Sequence, residues 1–182
     1  MNDPIHVTVW NEYNIEPTKE HVRRIYPDGM HGALKETFEA SGMTVRTGTY
    51  HEPDFGLSDD VLYSTDVLTW WAHDLHEGIP DELADKIYSR VVDDGMGLIL
   101  LHSSHFSKVF KKVLGATGRL KWRKKDSGED TERLWVIEPG HPIAAGIDEM
   151  VEMREEMYGE RFDIPAPDEL VFISWFTGGE VF

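Results

Sequence analysis

Short runs of β-branched and apolar residues alternate along the chain with stretches whose apolar positions recur every three or four residues. This is the pattern of strands and amphipathic helices in a parallel α/β sheet. The runs at 5–10, 43–47, 66–71 and 97–102 read as strands, the last apolar enough to be buried on both faces. Helices are expected at 28–40, 58–62, 80–93 and 104–114. The third has Pro80 in its first turn and Gly95 after its end, and the fourth carries Phe106, Val109, Phe110 and Val113 on one face. Beyond Gly115 the pieces are shorter. Segments 120–123 and 134–137 flank a polar turn at 124–131 and predict a β-hairpin insertion. Segments 150–153 and 170–176 read as further strands, and a last hairpin begins near 178–182. No repeat or low-complexity linker interrupts the pattern, so residues 1–182 are expected to form a single domain.

In an open parallel sheet, ligands bind beyond the carboxyl ends of the strands. That rule selects Asn11-Glu12, His51-Glu52, Trp71-Ala72-His73-Asp74 and His102-Ser103-Ser104-His105. The segment from Leu101 to Lys108 is the densest in chemistry, a buried strand breaking into a helix whose N-terminus suits an anion or a developing oxyanion. Its flanks do not meet Gly-x-Ser-x-Gly, and Ser103 or Ser104 serves equally well as a helix cap. Of the adjacent indoles Trp70 and Trp71, which leave a strand on opposite faces, one belongs to the core and the other is available to stack on a sugar. His73, His102 and His105 are candidate acid–base groups and candidate ligands for a divalent metal such as zinc, although no local two-histidine zinc signature is present. His31, one turn into the first helix behind Tyr26-Pro27-Asp28-Gly29, and Glu155 or Glu156 at a strand end are further candidates for the crevice.

Charge narrows the field. The 182 residues hold 34 Asp+Glu against 18 Lys+Arg, a formal charge of −16, which opposes nucleic-acid binding. The basic stretch from Arg119 to Lys125 is the local exception. It reads as an arm that docks on an acidic surface such as 149–156, either within the chain or on a second copy in a homo-oligomer. No cysteine is present, which removes disulfides, thiolate metal sites and a cysteine nucleophile. The N-terminus lacks a basic n-region and the apolar run behind it is too short to span a bilayer, so a cytoplasmic protein without membrane contact is expected.

Val9-Trp10-Asn11-Glu12, Ile25-Tyr26-Pro27-Asp28-Gly29-Met30-His31, Trp70-Trp71-Ala72-His73, Leu101-His102-Ser103-Ser104-His105-Phe106-Ser107-Lys108, Leu120-Lys121-Trp122-Arg123, Gly140-His141-Pro142-Ile143 and Glu155-Glu156-Met157-Tyr158 together resemble the ThuA-like family, associated with trehalose utilisation. The likeness runs over nearly the whole chain. It implies a flavodoxin-like α/β fold of the class I glutamine amidotransferase type, a parallel-sheet three-layer sandwich. It also implies a role in disaccharide or keto-sugar metabolism beside a sugar dehydrogenase. Amidotransferase relatives place Cys in Cys-x-Gly-His where this chain has His102-Ser103-Ser104-His105, so glutamine hydrolysis through a thioester is not expected. The resemblance further implies a strand and a His-bearing segment after Phe182, which this chain would lack.

These features combine into a crevice for a sugar or oxidised sugar. His73, His102, His105 and Glu12 are its acid–base candidates, and Asn11, His31, Trp71, Ser103, Lys108, Glu155, Glu156 and Tyr158 its binding candidates. The competing expectation is a non-catalytic sugar-binding or assembly module on the same fold.

Overall fold

The β-branched run at the N-terminus forms β1 (His6–Asn11), and β2 (Thr44–Thr49), β3 (Val67–Trp71) and β4 (Gly97–Leu101) follow as the apolar pattern predicts. The structure is a computed structural model that describes residues 3–123 and 130–182. Among the described residues these four strands make one all-parallel sheet in the order β2-β1-β3-β4, with Val9 opposite Thr69 and Thr69 opposite Ile99. Parallel neighbours need crossover connections. These are supplied by α1 (Glu20–Ile25), α2 (Gly29–Ala40), α3 (Asp59–Tyr63) and α4 (Asp81–Val92), and α5 (Lys108–Leu114) follows β4. The parallel α/β fold expected from the pattern is therefore the observed one.

The chain divides into two compact units, residues 1–115 and 116–182. In the first, Trp10 and Trp70 occupy opposed positions on neighbouring strands and stack with ring centroids 3.8 Å apart. Both are buried with Leu62, Leu68, Ile79, Ile87 and Val109, and full burial of each such aliphatic side chain contributes about 1.5–3 kcal/mol. Trp10 Nε1 donates to the carbonyl of Phe55 at 2.9 Å, so its one polar atom is satisfied.

Two details at the end of β4 differ from expectation. Residues His102–Phe106 form a 3₁₀ turn, and α5 starts only after it. Its cap is Ser107, whose hydroxyl accepts from the N–H of Phe110 at 3.2 Å, and not Ser103 or Ser104.

The second unit carries β5 (Lys121–Arg123), β6 (Asp130–Val136), β7 (Met150–Glu155), β8 (Met157–Gly159) and β9 (Phe172–Phe176). Here the expected hairpin between 120–123 and 134–137 is replaced by other pairings. β5 lies antiparallel to β8, while β6 sits between β7 and β9. The reason is length: β6 has seven residues, and β7 and β9 offer ladders of six and five against the three of β5. The 124–131 turn falls largely outside the described residues. Arg123 ties β5 to the rest of the unit, donating from Nε to Asp130 Oδ2 at 3.1 Å and from Nη2 to Glu180 Oε2 at 2.9 Å. The terminal hairpin forms as expected, with Trp175 bridged to Val181. Among the described residues no helix is long and apolar enough to cross a membrane.

Candidate functional site

Because β1 to β4 run parallel, their carboxyl ends lie along one edge of the sheet, and the chemistry of the first unit collects there. Trp71 ends β3 and His73 follows two residues later. Their rings are nearly parallel at 10°, with centroids 5.9 Å apart. From the neighbouring β4, His102 brings its ring to 5.9 Å from His73 and 6.1 Å from Trp71. His102 is a non-glycine residue at φ +51°, a left-handed conformation that costs on the order of 1–3 kcal/mol and is characteristic of functional turns.

Hydrogen bonds assign the two imidazoles complementary protonation. His73 Nδ1 lies 2.9 Å from Asp74 Oδ1, so Nδ1 carries the proton and Nε2 is an acceptor in the neutral ring. His102 Nδ1 receives the backbone N–H of Ser103 at 2.6 Å and lies 2.5 Å from the Ser103 hydroxyl, so its proton sits on Nε2. One ring therefore offers a base and the other a donor.

Glu12 is fully buried and its carboxylate is already occupied. Oε2 accepts the backbone N–H of His73, Asp74 and Leu75 at 2.8, 3.0 and 2.9 Å, and Oε1 accepts that of Asp74 at 2.9 Å. The sequence expectation of an acid–base carboxylate gives way to a carboxylate that shapes the loop bearing His73. His105 also differs. It is buried, with its ring 3.9 Å from that of Phe106 and edge-on to Phe110 at 6.4 Å. His73 and His102 come together as expected, and the His105 ring packs against Phe106 and Phe110.

That arrangement does not fit a three-imidazole metal centre. Among the described residues no group of three or more His, Asp or Glu is placed to hold a metal ion. His102 Nε2 would be a ligand only with the proton on Nδ1, where the Ser103 N–H points.

A second cluster surrounds the end of β1. Asn11 Oδ1 accepts the N–H of Tyr13 at 3.0 Å, which turns the amide nitrogen toward Glu16 Oε1 at 2.6 Å and His31 Nδ1 at 3.0 Å. The Met30 N–H also donates to Glu16 Oε1, at 3.2 Å, so the start of α2 is held by the same carboxylate. Tyr13 packs edge-on against His31 at 4.9 Å. Gly29, at φ +74°, is the residue this packing demands, since a Cβ there would run into the ring of His31 and meet Tyr13 at 3.0 Å. Burial holds the His31 pKa below the ordinary imidazole value, against the opposing pull of Glu16, Glu52 and Asp28.

Other expected residues make the following contacts. Lys108 pairs with Asp81 at 2.8 Å on α4 and is spent there. Glu155, Glu156 and Tyr158 belong to the second unit, where Glu155 accepts the N–H of Glu156 and Tyr158 packs edge-on to Phe182. Glu16 was not expected, and Asp74 and Ser104 lay in the selected strand-end segments without a role at the site. Ser104 is buried, with a hydroxyl that has no partner among the described residues.

The family model described as ThuA, trehalose utilisation, matches residues 6–178. No curated protein matches the chain. Among solved structures, a ThuA-like protein from Parabacteroides merdae superposes with a TM-score of 0.61 at 16% identity, covering 94% of this chain and 68% of that one. A ThuA-like protein from Bacteroides uniformis gives 0.60 at 10% identity, covering 95% and 69%. A glutamine amidotransferase from Thermotoga maritima gives 0.53 at 12% identity, covering 94% and 67%. At these identities the likeness shows a shared fold.

Proposed function

Because this chain belongs to the ThuA family, we propose that it acts in carbohydrate metabolism of the trehalose-utilisation type, taking a sugar or keto-sugar at the carboxyl edge of its parallel sheet. The observation that supports this most directly is the pairing of an acceptor imidazole, His73, with a donor imidazole, His102, at 5.9 Å beside Trp71. Such a pair suits proton abstraction from a carbon next to a ketone. The proton moves to His73 Nε2, the C–H electron pair becomes an enolate, and its oxygen takes a hydrogen bond from His102 Nε2–H. Trp70 and Trp71 are both buried, so the expected free indole for stacking on a sugar is not present, and Trp71 instead forms the apolar wall behind the two imidazoles. Glycosidase chemistry by paired carboxylates draws no support from Glu12, whose oxygens are occupied by backbone N–H groups. Glutamine hydrolysis through a thioester is closed to a chain without cysteine.

A keto-sugar must be made by oxidation of the parent sugar, so this assignment pairs the protein with a sugar dehydrogenase. The test is turnover of 3-keto-trehalose and trehalose followed by chromatography. Product is expected from the keto-sugar, falling about 10²-fold or more in His73→Ala and in His102→Ala. Binding of both sugars without turnover would instead identify a sugar-binding module, and failure to bind either would remove the proposal.

A further inference from the structure

Asn11 has one acceptor atom and one donor atom, and its neighbours leave no choice of orientation. The Tyr13 N–H needs the oxygen, and the buried Glu16 carboxylate needs the nitrogen. The amide therefore points an N–H at His31 Nδ1, 3.0 Å away. Two donors cannot share that line, so Nδ1 is unprotonated and the neutral ring carries its proton on Nε2, which has no partner among the described residues. Protonating Nδ1 would set N–H against N–H and break the chain of bonds from Glu16. The other oxygen of Glu16, Oε2, is buried with no partner among the described residues.

We propose that His31 is a fixed hydrogen-bond donor of the crevice, its Nε2–H offered to a carbonyl or hydroxyl oxygen of the ligand, with Asn11 and Glu16 acting through it as positioning residues. Only the identity of the ligand rests on the sugar assignment; the tautomer does not. Burial of the ring works in the same direction, keeping it neutral in spite of Glu16, Glu52 and Asp28. The neutral ring donates a hydrogen bond to a ketone or enolate oxygen, and its one unprotonated nitrogen is held by Asn11, so His31 is not the base.

Long-range proton–nitrogen correlation spectra of the histidine-labelled chain test this directly. At pH 7 the His31 ring should show an unprotonated Nδ1 and a protonated Nε2, with a titration midpoint below about 6.5. Asn11→Asp puts an acceptor where the donor was, so the proton should move to Nδ1 and the midpoint should rise. Glu16→Gln, which retains an acceptor for the amide, should keep the tautomer. A protonated Nδ1 in the unsubstituted chain, or a folded Asn11→Asp variant with an unmoved tautomer, overturns the proposal. Should Asn11→Asp not fold, the spectrum of the unsubstituted chain decides alone. Adding 3-keto-trehalose should shift the His31 Nε2–H. Shifts at Trp71 and His102 without one at His31 overturn the donor role and leave the sugar assignment standing. Shifts at none of the three overturn the sugar assignment, while the tautomer is judged on the unliganded spectrum.

Discussion

Glu12 Oε2 accepts the backbone N–H of His73 at 2.8 Å, so a side chain at the end of β1 sets the position of a catalytic candidate at the end of β3. Two neighbouring N–H groups, those of Asp74 and Leu75, converge on the same carboxylate. Truncation to Ala would strand three donors out of water, each worth about 1–3 kcal/mol when left unmade. Glu12→Ala is therefore expected to lose on the order of 3 kcal/mol or more in denaturant melts and to displace the His73 loop. Glu12→Gln keeps one acceptor oxygen and should lose less. A Glu12→Ala variant as stable as the parent to within about 0.5 kcal/mol would contradict this account.

The protonation pattern of His73 and His102 carries a prediction about metal. A divalent ion needs deprotonated nitrogen or oxygen donors grouped around one point. His102 keeps its acceptor nitrogen on Ser103, and among the described residues no three His, Asp or Glu are grouped around one point. Elemental analysis of protein prepared without chelator should find no stoichiometric zinc, and 3-keto-trehalose turnover should survive a strong chelator. Stoichiometric zinc released together with activity would show that the loops rearrange around an ion.

The strands of the parallel sheet were legible because each is a run of β-branched and apolar residues closed by polar ones, and Leu68 and Trp70 take core positions accordingly, whereas β4, expected to be buried on both faces, ends the strand order among the described residues and leaves Ile99 exposed. The carboxyl edge of the sheet followed from topology, and His73 beside His102 with it. For Glu12, periodicity shows where a carboxylate leaves a strand and cannot show three N–H groups arriving from residues more than sixty positions away. Glu16 gave no signal at all: within Asn11-Glu12-Tyr13-Asn14-Ile15-Glu16-Pro17 it reads as a solvated loop residue, and its burial depends on Asn11 and the first N–H groups of α2. In the second unit the pairing of β5 with β8 joins segments about 35 residues apart, beyond what local turn signals specify.

Assembly is expected to depend on charge. The basic stretch 119–125 and the acidic stretch 149–156 lie in one unit, and Arg123 is already committed within the chain to Asp130 and Glu180. Lys124 and Lys125 lie outside the described residues. If the remaining cations meet the acidic stretch of a second copy, light scattering will report an oligomer at low salt that dissociates as the Debye length falls from about 10 Å at 0.1 M toward about 3 Å at 1 M. Lys124→Glu with Lys125→Glu should weaken it. A monomer at micromolar concentration in low salt would assign both patches to intrachain or solvent roles.

Two half-buried imidazoles make stability depend on pH with a definite sign. Burial lowers the His31 pKa despite Glu16, Glu52 and Asp28. It also lowers that of His76, helped by His73 and Lys111 and opposed by Glu12. The unfolded chain then takes up protons at a higher pH than the folded one. The contribution of these rings is fully present above about pH 6.5 and is lost as pH falls through their folded values. Glu132 has the opposite sign: burial, aided by Glu155, raises its pKa, so its contribution is present at low pH and lost as pH rises through the folded value. The two effects oppose each other in weakly acid solution, and single variants separate them. Denaturation midpoints of Glu132→Gln should fall more steeply from pH 7.5 to about 4.5 than those of the parent. Adding His31→Gln and His76→Gln should flatten the slope, and an undiminished slope in that triple variant would show that other groups govern the acid response.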